Sequence, residues 1–78
     1  MAHGKKEKFA QRVSQLRQAK GVSARDMSLS LGQSAGYINN IENGVNLPSM
    51  SMFFYICDYL GVDASTLDGQ SVLSDILK

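Results

Sequence analysis

The stretch from Ser23 to Gly44, SARDMSLSLGQSAGYINNIENG, leaves this chain few ways to fold. It reads as two short helices pinned together by a tight turn. Ser23 is a good helix cap, and Asp26 three residues on can reach back to the Ser23 amide. Met27 and Leu31 then fall one helical turn apart, with Leu29 off that stripe. Leu31-Gly32 stops the first helix, since glycine takes the left-handed backbone of a helix end without a Cβ penalty. Only Gln33 separates that stop from Ser34, which can cap a second helix over 34–43. There Ile38 and Ile41 share one face, while Gly36, Asn39, Asn40 and Asn43 share the opposite one. Asn43-Gly44 closes the second helix, and Pro48 forbids an easy continuation.

Two helices this short, joined this closely, must cross steeply rather than run antiparallel. The second buries its isoleucines and offers a row of small polar side chains, a shape that fits the DNA major groove. An ordinary helical hairpin inside a small bundle meets the same spacing. Spacing alone leaves both readings open.

The wider pattern favours the first. Leu16-Arg17 and Lys20-Gly21 precede Leu31-Gly32, and the run Ile38-x-x-Ile41-Glu42-Asn43-Gly44 is followed by Pro48-Ser49 and Leu60-Gly61-Val62. On these residues, from about Phe9 to Leu67, the chain resembles the lambda-repressor-like, XRE-type helix-turn-helix family. The resemblance implies an all-α fold, a compact five-helix domain. It also implies base contacts from the first turns of the helix at 34–43, which here means Ala35, Gly36, Tyr37, Asn39 and Asn40. Asparagine pairs bidentately with adenine, and alanine or an aromatic ring can meet a thymine methyl, so this set leans toward A·T-containing sites. Phosphate contacts are expected from Ser23, Arg25, Ser34 and Asn43, at or near the helix ends. The family often pairs the arginine equivalent to Arg17 with the glutamate of the E-N-G run, which implies a structural ion pair between Arg17 and Glu42. Many members carry glutamine at the position of Ala24 and basic residues at Ala35, Asn40, Val45 or Asn46. This chain has none of these, so one copy should hold DNA weakly, and two copies on one palindromic duplex would compensate.

Charge agrees with a polarised surface. Residues 1–25 carry seven of the eight basic side chains against Glu7 alone, a net +6, while residues 26–78 carry Lys78 against six acids, a net −5. Such a chain can turn one basic face toward phosphates; ordinary solvated charge is the plainer reading. Other classes find little support. No apolar run approaches the roughly 20 residues that span a membrane, and the Lys5-Lys6 start leads into no signal-peptide core. Cys57 stands alone, which suits a reducing, cytoplasmic setting, and its spacing from Phe53, Phe54 and Leu60 marks it as a small core residue. His3 sits alone in a polar tail. No enzyme activity, metal, cofactor or small-molecule ligand is expected.

Seventy-eight residues make one small domain, divided here into a flexible basic arm (1–6), the DNA-binding domain (7–69) and a short C-terminal helix (70–78). After Phe53, Ile56, Cys57 and Leu60 supply the core, Phe54, Tyr55 and Tyr59 are left over, and the tail adds Val72, Leu73, Ile76 and Leu77. A surplus of this kind marks an interface, and the expected partner is a second copy. The tail folding back onto the first helix is the competing arrangement. Two functions therefore stand at this level: a sequence-specific transcriptional regulator acting as a homodimer, or a protein-interaction or antitoxin-like module whose working face is the aromatic surface of helix 4.

Overall fold

A computed structural model describes residues 5–67, which form five helices and, among the described residues, no strand. These are α1 (Lys5–Lys20), α2 (Ala24–Ser30), α3 (Tyr37–Glu42), α4 (Met50–Leu60) and α5 (Ala64–Leu67). The expected tail helix lies outside the described residues, as do the first four residues of the expected arm. The apolar spacing predicts α1 from Glu7; the helix instead begins at Lys5.

The chain is assembled on α1, which packs against α3, α4 and α5. Phe9, Ala10 and Val13 are buried at helical spacing, and the Phe9 ring stacks on Phe53 of α4 with centroids 6.0 Å apart. Met27 comes from α2, Ile38 and Ile41 from α3, Phe53, Ile56 and Cys57 from α4, and Leu67 from α5; with Phe9 and Val13 they form one core cluster. Leu16, Leu31, Leu60 and Val62 pack around its edge. Leu29, off the stripe, is half exposed at 50%. No helix among the described residues is long and apolar enough to cross a membrane.

Helix ends follow the local sequence closely. Ser23 Oγ accepts from the Asp26 amide at 2.9 Å, and Ser49 Oγ accepts from the Met52 amide at 3.2 Å. Asp63 starts α5: its Oδ1 accepts from the Thr66 hydroxyl at 2.8 Å, the Thr66 amide at 2.9 Å and the Ser65 hydroxyl at 2.9 Å. These donors, Thr66 foremost, hold the Asp63 carboxyl below the ordinary carboxylate pKa. Four helices close alike, with the amides of Val22, Gln33, Val45 and Val62 reaching back to the carbonyls of Arg17, Ser28, Asn40 and Cys57 at 2.9–3.4 Å. The chain turns through a left-handed glycine each time; at Gly32, φ is +74° and any other residue would be strained.

One helix departs from the expected pattern. The spacing places the second helix of the pair over 34–43 with Ser34 as its cap, but α3 begins three residues later, at Tyr37. The Tyr37 amide donates to the Ser34 carbonyl at 3.0 Å, and Gly36 sits at φ −93°, ψ 3°. Residues 34–37 thus form a β-turn with Gly36 in its third position. Gly36 precedes α3 and offers no side chain to cap it.

Candidate nucleic-acid interface

Helix α3 is amphipathic in a narrow sense. Ile38 and Ile41 are buried at 0% and 1% exposure, and Asn39, Asn40 and Asn43 stand exposed around the other side. Their amides carry donors and acceptors on side chains too short to fold back far, which suits reading the edges of bases. Tyr37 is half-buried and packs on the core edge, and this desolvation raises its phenol pKa above the ordinary value. Part of Tyr37 therefore belongs to the fold. Ala35 and Gly36 lie in the turn before α3 rather than in its first helical turn, with Ala35 half-buried and Gly36 exposed. A Cβ at Gly36 would meet nothing within 4 Å, so the bare backbone there leaves room for a close approach without being demanded by packing.

The expected phosphate-facing groups are all at the surface. Ser23, Arg25, Ser34 and Asn43 are exposed, Ser23 and Arg25 at the start of α2, Ser34 in the turn and Asn43 just past α3. Not every basic side chain of the N-terminal half joins them. Lys20 places its ammonium 5.1 Å from the centroid of the Tyr59 ring on α4, a cation–π contact. Arg17 is turned inward to Glu42.

That pair holds the far end of α3. Arg17 Nε donates to Glu42 Oε2 at 2.7 Å and Nη2 donates to Oε1 at 3.1 Å, while Nη1 donates to the Val22 carbonyl at 2.8 Å. The two side chains are 15% and 11% exposed. Donating to the Glu42 carboxylate raises the Arg17 pKa against the opposing effect of burial. A planar guanidinium meeting a carboxylate by two parallel bonds fixes direction as well as distance, so α1 and the end of α3 are locked in register.

The near end of α3 is held by a residue that sequence reasoning did not single out. Ser28, on α2, is fully buried, and its hydroxyl donates to the Ala24 carbonyl at 2.7 Å while accepting from the Ile38 amide at 2.9 Å. The signal was present in the spacing. Ala24, Met27, Ser28 and Leu31 fall at i, i+3, i+4 and i+7, so position 28 lies on the buried face of α2 despite being polar.

The sequence matches the helix-turn-helix family over residues 13–67, a stretch that includes the packed α2–α3 pair and the glycine stop between them. The chain belongs to the helix-turn-helix family. Among solved structures, this helix-turn-helix protein is similar to the restriction-modification controller protein C.AhdI from Aeromonas hydrophila. The likeness runs at 27% identity over 80% of this chain and 90% of that one, with a TM-score of 0.73. No protein with a curated description matches the sequence. The family and the shared fold make this a sequence-specific DNA-binding transcriptional regulator, with the all-helical architecture the sequence predicts.

Beyond α3, the second expected surface divides. Phe54 and Tyr55 are 51% and 61% exposed, whereas Tyr59 is half-buried beneath Lys20. Beside Tyr55 and Tyr59 an open cleft of about 490 Å³ separates α4 from the end of α2, with Leu31 and Met52 in its walls. Val72, Leu73, Ile76 and Leu77 lie outside the described residues.

Proposed function

We propose that this regulator reads a palindromic, A·T-containing operator as a homodimer, with one α3 in each of two successive major grooves. The observation that carries the base-reading role is the exposed row Asn39, Asn40 and Asn43, backed by the buried Ile38 and Ile41. Asn39 and Asn40, with Tyr37, Gly36 and Ala35 before them, meet base edges; Ser23, Arg25, Ser34 and Asn43 meet phosphates. Residues 26–77 carry no Lys or Arg, so α3 itself brings no cation, affinity per copy is low, and pairing two copies about 34 Å apart supplies the rest.

The exposed rings of Phe54 and Tyr55 support self-association. Aromatic side chains supply much of the energy at protein interfaces, and a two-fold pair would set both α3 helices on the same side. The same surface alone would equally serve an interaction module that never touches DNA. Likeness to a restriction-modification controller supports the narrower role of controlling such a gene set, and restriction and modification genes beside its own are the expected neighbourhood.

The test is selection of duplexes from a random pool, followed by binding to the selected and a scrambled duplex across a salt series. A steep salt slope together with preference for a palindrome supports the dimeric reader. No salt-dependent binding to either duplex would leave only the interaction module. Sedimentation of the full chain at tens of micromolar reads the dimer directly, and a monomer there sinks it.

A further inference from the structure

Helix α3 has six residues, too few to persist on its own, and no side-chain cap of its own at Gly36. Its first amides must nevertheless find acceptors, because an unpaired buried N–H is costly. The Tyr37 amide takes the Ser34 carbonyl. The Ile38 amide takes Ser28 Oγ, a buried hydroxyl delivered from the neighbouring helix ten residues earlier.

We infer that Ser28 is a positioning residue for DNA reading: a cap supplied across the helix pair that fixes where α3 begins and how it is angled. The hydroxyl is bound on both sides. It donates to the Ala24 carbonyl one turn back along α2, which fixes its rotamer, and so presents its lone pair to Ile38 in one direction. Ile38 is immediately followed by Asn39 and Asn40, so a shift in its amide is passed straight to the exposed amides. Together with Arg17 at the Glu42 end, Ser28 pins the short helix at both ends to the neighbouring helices α1 and α2. This inference rests on α3 being the base-reading helix.

The experiment compares the full chain with Ser28→Ala and Ser28→Cys. Alanine removes the hydroxyl at little cost in volume and with good helix propensity, and cysteine keeps a weaker donor and acceptor at the same place. Amide exchange is followed at Ile38, with Phe53, bonded to the Ser49 carbonyl within α4's own first turn, as the internal reference. Affinity is measured for the best duplex selected by the unaltered chain and for a scrambled duplex of equal length. In Ser28→Ala the Ile38 amide should exchange roughly tenfold faster than any change at Phe53 accounts for. The selected-to-scrambled affinity ratio should fall about fivefold or more while scrambled binding moves less than about twofold, with Ser28→Cys in between. Ile38 and Phe53 exchanging faster in equal measure would overturn the inference, since that is a general loss of stability. So would a freed Ile38 amide with an unchanged affinity ratio. An unaltered chain that prefers no duplex would overturn base reading itself, and the exchange comparison would still decide whether Ser28 holds α3.

Discussion

Helices α3 and α4 both bury an apolar stripe against α1, yet they are held in opposite ways. Helix α4 has eleven residues, begins on its own Ser49 cap and ends on its own Gly61. Helix α3 has six residues, and its side-chain restraints come from elsewhere: Ser28 of α2 at the start, Arg17 of α1 at the end. Their exposed faces differ as well, small amides on α3 against aromatic rings on α4. The outer row of α3 is made of short amides that, among the described residues, reach no neighbouring element by a hydrogen bond. The side-chain bonds of α3 come from the inner side, through Ser28 and Arg17, whereas α4 is capped by its own Ser49 and carries large apolar rings on its outer face.

The most severe way to break this comparison is to cut the end restraint of α3. Glu42→Ala strands the Arg17 guanidinium at a mostly buried junction and should cost about 3 kcal/mol of stability. In a domain this small that lowers the melting temperature by roughly 10 °C or more. An unchanged melt would show that α3 does not rely on the pair. Replacing both partners together, as Arg17→Met with Glu42→Leu, should recover much of the loss, because no charge is left unpaired.

Next come the amides themselves. Asn39→Ala and Asn40→Ala should each cost about 1–3 kcal/mol on the selected duplex and little on a scrambled one, with the melt unchanged because both are exposed. Equal losses on both duplexes would remove them from base reading. On the α4 side, Tyr55→Ala should weaken self-association by roughly 1–2 kcal/mol, seen as a higher concentration for half-dimerisation in sedimentation. If the dimer persists unaltered, α4 is not the contact, and the contrast between the two outer faces loses its functional meaning. The smallest effect is Arg25→Ala, which should weaken all duplexes alike and lower the salt slope by about one unit. A sequence-dependent loss would move Arg25 from the phosphates to the bases.

The chain's own residues determined the elements and most of their ends. Serine and aspartate caps act within three residues and glycine stops within five, so Ser23, Gly32 and Gly44 could be read directly from the sequence, and Ser49, Asp63, Gly21 and Gly61 act by the same local rules. The buried stripes of α1 and α4 were legible for the same reason, since helical periodicity is a local property. The Arg17–Glu42 junction spans 25 residues and was expected only through family resemblance; the geometry, with its third bond to Val22, belongs to the folded chain. Tertiary structure alone decided where α3 starts. Ser34 looks like a cap, but the buried Ser28 hydroxyl satisfies Ile38 from another helix, and the chain from Ser34 to Tyr37 is left to turn. Tyr59 was redirected too, drawn under Lys20 from 39 residues away in sequence. Local rules say which hydrogen bonds a segment can make for itself. When a partner arrives from a distant segment in the assembled core, where an unpaired amide is costly and a well-placed acceptor is already desolvated, that partner displaces the local choice.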